Sequence, residues 1–480
     1  MTTTELDAQL RRVQGWIEAN LDRHINRLQR LVRVPSISPT GQQMAEGAET
    51  TAQLLREIGC QVVEIVPTSG FPVVFGEWQA GQPYTLVIYA EYDVMPADEP
   101  AWKVKPFEAA LVDEPGLGRV LMGRGARNQK GPLVSILNAV EALVALDGKP
   151  PVNLMFVFEG EEELGSRHLP EFVEKYADRL KRADAMLAPH THMNRQGEGL
   201  LWAGSKGIIV MELEASGQKW GRGPVGADAH SCYKAFVDSP AWRLVQALAT
   251  LVSPDGNRVL VDGFYDAVLA PSAQDDALLA AFQDRFNPDF LDMGITRHIE
   301  DVHGLELMRR FFYSPTLNIN GLSGGYAGPG IKTLLPAAAT AKLDLRYVPN
   351  QEASDLIAKL RGHLDRHGFP DVELRVLGQS DWSATPLTSP VVSAAMSAYR
   401  RMGREPQVWP RNPGSIPFWI FNRAPLNLPF ASAGLGHAVR SHAPNEFIVV
   451  DGNAQVFGLA QFETSLAAIL YEFAAASAHA

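Results

Sequence analysis

Two cysteines, Cys60 and Cys232, are the whole thiol content of this 480-residue chain. They are too few for a disulfide framework, which fits a reducing compartment. Positive charge is also short: 43 Lys and Arg face 54 Asp and Glu, a formal net charge of −11. Phosphate-backbone binding needs a basic footprint, so no nucleic-acid partner is expected. The acidity is that of an ordinary soluble surface. No run reaches the roughly 18 apolar residues of a membrane-spanning helix, so no membrane partner is expected either. The opening Met-Thr-Thr-Thr-Glu-Leu-Asp lacks a basic stretch followed by an apolar one. It therefore carries no export signal of the usual kind, and a cytoplasmic location is expected. Tandem repeats and low-complexity linkers are missing too.

What is present is a globular composition, 46% hydrophobic and 20% charged, long enough for two or more domains. Leu10, Val13, Ile17, Leu21, Ile25 and Leu28 form one stripe, which predicts an amphipathic helix over 5–33. From 47 to 202 the pattern predicts a helix at 48–58, strands at 61–66 and 85–90, a helix at 131–146, and strands at 152–158 and 184–188. Alternating strands and helices imply an α/β layer with a mixed, mostly parallel sheet. From Gly207 the alternation changes to that of half-exposed strands, at 208–215 and 339–348, with helices near 239–252 and 351–367 and a strand at 371–377. The expected organisation is an α/β catalytic domain, 1–207 and 380–480, interrupted by an inserted α+β domain, 208–379.

The most informative segment is Phe158-Glu-Gly-Glu-Glu-Glu-Leu-Gly-Ser166. It follows the apolar run Val152 to Phe158. Ionised carboxylates at the end of a buried strand are costly unless something there calls for negative charge. A metal ion is the commonest such reason, and a glutamate beside it can act as general base. Glu91 and Asp93 also follow a strand, and strand carboxyl ends are where α/β sheets gather functional residues.

Six ordered motifs accompany these features: Tyr89-Ala-Glu-Tyr-Asp-Val-Met-Pro96, Gly123-Arg-Gly-Ala-Arg-Asn-Gln-Lys-Gly131, the glutamate tract, Asp228-Ala-His-Ser231, Gly324-Gly-Tyr-Ala-Gly-Pro-Gly330 and Ser441-His-Ala-Pro-Asn-Glu446. Together they resemble the two-zinc metallopeptidase family of carnosinases, carboxypeptidase G and succinyl-diaminopimelate desuccinylase, from about residue 25 to the end. The resemblance implies a zinc-peptidase-like α/β domain with a lid domain that forms a homodimer. It implies Glu162 as general base and Asp93 as the residue orienting the site. It also implies His230 as an oxyanion donor to the partner subunit, and Thr333, Arg346 and Ser415 as holders of a substrate carboxylate. A guanidinium fork suits that carboxylate task, although Arg346 also reads as a strand-face ion pair.

Three of the five implied metal-ligand positions differ from the family. Glu91 stands in place of the first histidine, Asn128 in place of the bridging aspartate, and His190 in place of a later acid; Glu163 and His442 are kept. Carboxylate and imidazole have thus changed places between 91 and 190, and both types bind zinc, or manganese or iron with less preference. His192 lies close enough in sequence that either histidine reads as the inward one. Asn128 offers one neutral oxygen and an NH₂ group where the family has a shared anion. Two dications ~3.5 Å apart repel by roughly 19 kcal/mol at an effective dielectric of about 20. The expectation is therefore one divalent metal, zinc first, or none.

Arg127 reads either as a cation in the place of the lost metal or as half of an ion pair. Cys232 reads as a nucleophile or as an inert thiol. The expected activity is hydrolysis of an amide bond in a small N-acyl amino acid, dipeptide or similar carboxylate. The alternatives are hydrolysis of an unusual C–N bond with another metal or none, and a non-catalytic binding protein.

Overall fold

The computed structural model describes residues 3–287 and 294–477. It divides into two compact units, one of Met1–Gly204, Ala384–Pro410 and Pro417–Ala480, the other of Ser205–Ser383 with Arg411–Ile416.

The first unit is built on an eight-stranded sheet. Its order is Val62–Val66, Val73–Trp78, Asn153–Glu159, Thr85–Glu91, Ala185–Pro189, Phe430–Ala433, Leu200–Trp202, Gln407–Trp409. Thr85–Glu91 runs parallel to both Asn153–Glu159 and Ala185–Pro189, which in turn runs parallel to Phe430–Ala433. Val62–Val66 and Val73–Trp78 form an antiparallel edge. Six of the seven residues of Asn153–Glu159 are buried, as the continuous apolar run predicts for a strand covered on both faces.

Helices Lys130–Asp147 and Leu459–Ser477 bury nearly every side of their apolar lengths and pack together beside Thr3–Ala19. The helix expected over 5–33 is two helices, Thr3–Ala19 and Leu21–Val32. Asn20 leaves helical geometry between them (φ −113°, ψ 11°), and its side-chain amide donates to the Trp16 carbonyl. That competition with the backbone is what a short polar amide offers inside a helix. A second, four-stranded sheet orders Ala438–Val439, Phe447–Val449, Gly118–Met122 and Ala110–Glu114.

The second unit carries a four-stranded antiparallel sheet ordered Thr316–Ser323, Ala338–Tyr347, Gly207–Ser216, Glu373–Ser380. Gly207–Ser216 alternates buried and half-buried along its whole length, as its period-two sequence predicts. The buried face meets helices Pro240–Leu251 and Ala353–Arg366 in a core of Ile209, Met211, Leu213, Leu343, Leu356 and Leu360. No described helix is long and apolar enough to cross a membrane.

Candidate active site

The parallel register sets Glu91 opposite Glu159, so two strands deliver carboxylates to the same sheet end. Both are almost fully buried, at 4% and 1% exposure. Glu159 has its own partners: the Tyr89 hydroxyl donates to Oε1, as does Ser166 Oγ at 2.8 Å. Burial pushes its carboxyl up to about 8 despite those donors. At Gly160 an added Cβ would lie 2.5 Å from the Tyr92 ring. Only glycine therefore lets the chain turn directly from the strand into the glutamate tract.

The tract divides its three acids by direction. Glu161 turns to His168, whose Nδ1 is 2.8 Å away. Glu162 and Glu163 open a single 3₁₀ turn, Glu162–Leu164. Asp93 holds that turn: its Oδ1 accepts from the Glu162 backbone N–H at 3.2 Å, and its Oδ2 from the Glu163 N–H at 3.1 Å. Ser38 Oγ donates to the same Oδ2 at 2.6 Å. Burial pushes Asp93 up to about 7, with the Glu163 charge adding to it and these hydrogen bonds opposing it. Burial, then the charges of Glu163, Asp93 and Glu159, push Glu162 well above the usual carboxylate range. The same crowding, with Glu162 the largest neighbour after burial, does so at Glu91.

Glu163 borders this crowd, since its charge acts on Glu162, Asp93 and Glu91, but one of its oxygens has partners elsewhere. Its Oε1 is 2.9 Å from His442 Nε2 and 2.9 Å from Asn128 Nδ2, and Asn128 Nδ2 is 3.2 Å from His442 Nε2. Three of the five expected ligand positions therefore meet. The hydrogen bond to Glu163 raises the pKa of His442 against burial. His442 itself has a left-handed backbone, φ 56°, a sparsely populated region for a residue with a Cβ.

His190 and Glu91 do not join that trio. The Gln129 amide nitrogen lies against His190 Nδ1, and the His190 ring sits 4.5 Å from His192 and 5.5 Å from Trp202. His190 and His192 are both buried, and His192 Nε2 is 3.0 Å from Ser432 Oγ. Burial, with the Arg127 charge second, brings His190 down to about 3. The Arg127 guanidinium thus lies close to the imidazoles, where it donates to Ser441 Oγ. Among the described residues no three His, Cys, Asp or Glu side chains converge to hold a metal ion.

The donor chemistry nonetheless fits one dication. Glu163 supplies a carboxylate and His442 an imidazole, and a half-turn of the Asn128 amide replaces its NH₂ by an oxygen. The other half of the pair of metals implied by the family would need Glu91 and His190. The carboxylates around Glu91 suit a cation, but His190 lies against Gln129 with the Arg127 charge near it. The two join no three-residue ligand group among the described residues.

One residue that the sequence analysis did not single out organises the loop beneath. Glu446, with no exposure, accepts from the backbone N–H groups of Arg127 and Asn128, both at 2.9 Å on Oε1. Its Oε2 accepts from Arg124 Nη1 at 2.9 Å. Arg124 is itself 1% exposed. Gly131 closes the same turn, since a Cβ there would lie 2.1 Å from the Ala126 carbonyl oxygen. Glu446 closes the Ser-His-Ala-Pro-Asn-Glu motif, but nothing in its spacing names Arg124 as its partner.

The remaining expected residues lie in the second unit as two pairs. His230 Nε2 is 3.0 Å from Thr333 Oγ1, and Arg346 Nη1 donates to Ser415 Oγ at 3.1 Å. Cys60 and Cys232 are both free, and burial pushes the Cys60 thiol up to about 12.

A deep sheet end lined with carboxylates, beside a glutamate–histidine–asparagine trio, marks a hydrolase of the metallopeptidase type. Residues 87–457 match the family model for Peptidase family M20/M25/M40, and the chain belongs to that family. The Cys-Gly metallodipeptidase of Schizosaccharomyces pombe is 29% identical over 366 residues, covering 73% of this chain and 74% of that protein. Human Beta-Ala-His dipeptidase is 27% identical over 443 residues, covering 88% and 80%. Among solved structures, an M20 family metallo-carboxypeptidase from Sulfolobus solfataricus superposes with a TM-score of 0.80 at 30% identity, over 94% of this chain and 98% of that one. Human carnosine dipeptidase 1 does so at 0.76 and 25% identity, over 97% and 99%.

Proposed function

We propose that this protein hydrolyses the amide bond of a dipeptide or N-acyl amino acid, using Glu162 as general base and one divalent ion held by Glu163, His442 and Asn128. The observation that carries this reading is the grip of Asp93 on both backbone N–H groups of the glutamate pair. That grip turns Glu163 to His442 and leaves Glu162 free for a proton. A bound divalent ion supplies positive charge to a carbonyl oxygen and makes a nearby water more acidic. Glu162 would take a proton from a water as the water oxygen adds to the amide carbonyl carbon, and would give that proton to the nitrogen as the C–N bond breaks. In the second unit, Arg346 with Ser415 offers donors for a carboxylate, and His230 with Thr333 offers them for an oxyanion.

Zinc is the proposed metal, at one equivalent. Protein exposed to excess zinc and then dialysed should retain no more than one equivalent by elemental analysis, and His442→Ala should retain none. Arg127→Ala combined with Asn128→Asp should take up a second, because it removes a fixed cation and restores a bridging anion. Two equivalents in the unaltered chain would contradict the single-ion reading. Failure to release free amino acids from any of a broad dipeptide panel would overturn the activity. Activity that survives exhaustive chelation would favour the metal-free alternative, in which Arg127 supplies the positive charge near His190.

A homodimer through the second unit is part of the same proposal. Its outer strand Thr316–Ser323 leaves Ile319 and Leu322 exposed, and the opposite edge strand leaves Val376 and Leu377 exposed. Unpaired, apolar edge strands invite another chain. Sedimentation velocity should show a dimer that Leu322→Lys dissociates; a monomer at micromolar concentration would rule this out.

A further inference from the structure

Three cations gather within the second unit around a short return segment, and two of them, Lys206 and Arg411, have few acceptors. Lys206 and Arg411–Ile416 are laced together: the Lys206 N–H donates to the Asn412 carbonyl at 3.0 Å, and Ser415 Oγ donates to the Lys206 carbonyl at 2.8 Å. Ser415 is also the acceptor for Arg346. Arg346 and Arg411 are thereby brought near Lys206: burial first, then the charges of Arg411 and Arg346, bring Lys206 down to about 7.

The supply of acceptors is thin. Lys206 is 4% exposed, and its ammonium donates to the Ser314 carbonyl at 2.7 Å, one neutral acceptor for three N–H bonds. Arg411 lies over the Tyr313 ring at 4.1 Å, and its Nε and Nη1 are buried with no hydrogen-bond partner among the described residues. Two carboxylates are near. Asp275, whose charge acts on Arg411 and Tyr313, is engaged in a capping box with Ser272, and Asp344 stands 3.6 Å from Arg346 Nε. Neither forms a close ion pair with Lys206 or Arg411. Buried cationic donors without acceptors are costly, and an incoming anion is what removes that cost.

We infer that Lys206 and Arg411 form, beside Arg346 and Ser415, a subsite for a second anionic group of the substrate, the side-chain carboxylate of an acidic residue. The inference rests on the hydrolase reading for the word substrate only. Arg346 and Ser415 take one carboxylate, and the guanidinium of Arg411 with the ammonium of Lys206 takes the other.

Calorimetric titration of the full chain with glutarate, butyrate and inorganic phosphate tests this without turnover. Glutarate should bind at least about tenfold tighter than butyrate, the scale of one charge-assisted hydrogen bond. Arg411→Gln and Lys206→Met should each abolish that preference and leave butyrate affinity within twofold, while Arg346→Met should weaken both ligands. Arg411→Lys, which keeps the charge, should keep most of the preference. A merely structural Arg411 would lower the unfolding midpoint in Arg411→Gln without changing the ratio of the two affinities. Lys206→Met provides the same reading if Arg411→Gln does not fold.

Equal affinities in the unaltered chain, or a preference that survives both substitutions, would overturn the subsite. Phosphate binding tightly without any preference for glutarate would overturn the assignment to an acidic side chain. If the preference holds and no dipeptide is hydrolysed, the subsite stands and the hydrolase reading falls. If dipeptides are hydrolysed and the preference is missing, the hydrolase reading stands and the subsite falls.

Discussion

Glu162→Gln should lower kcat on any dipeptide the protein cleaves by about 10²- to 10⁴-fold, the ordinary contribution of a positioned general base. The amide fills the same space and keeps the backbone bonds to Asp93, so KM should move little. Unfolding should occur at the same temperature or higher, because one carboxylate is removed from a crowd in which Glu91, Asp93, Glu159 and Glu163 already oppose one another. Steady-state rates with a matched thermal melt decide the matter. Turnover within a fewfold of the unaltered protein would remove Glu162 from the mechanism. A parallel loss of rate and stability would make its role structural.

The second large effect is on folding. Glu446→Ala should cost about 3–5 kcal/mol, the range for breaking a buried ion pair from one side. The cost is high because three groups lose their acceptor together: Arg124, at 1% exposure, and the backbone N–H groups of Arg127 and Asn128. Glu446→Gln should fall between, since its oxygen still accepts a backbone hydrogen bond while Arg124 loses its counter-charge. The urea midpoint measures both. An unmoved midpoint in Glu446→Ala would show that water or Glu99, which already accepts from Arg124 Nη2 at 3.1 Å, takes over the load. Because Asn128 sits on this loop, the variant should also weaken metal retention.

The residues that the sequence marked fall into groupings that differ from the expected set. Glu163, Asn128 and His442 come together across separations of up to 314 positions. Glu91 instead joins the carboxylates of Asp93, Glu159 and Glu162, and His190 joins Gln129, His192 and Trp202. The expected exchange of carboxylate and imidazole between 91 and 190 does not assemble a group of three His, Cys, Asp or Glu ligands among the described residues.

The strand-ending carboxylates, the family and the alternation of strands and helices are all carried by local pattern: apolar periodicity, turn residues and ordered motifs act over a few residues and are legible one segment at a time. Local pattern also misleads where it is interrupted, as at Asn20, or where it has no amphipathic signature, as in the fully buried strand Val73–Trp78. The partner of each charge belongs to tertiary structure. Glu446 reads as a motif residue and proves to be the anchor of a loop more than 300 positions earlier. Lys206 and Arg411 are far apart in sequence, and only folding bonds the Lys206 backbone to the segment that Arg411 opens. A residue's type sets which bonds it can make. Only the distant chain that folds against it decides which of those bonds are made and which buried donors are left open for a ligand.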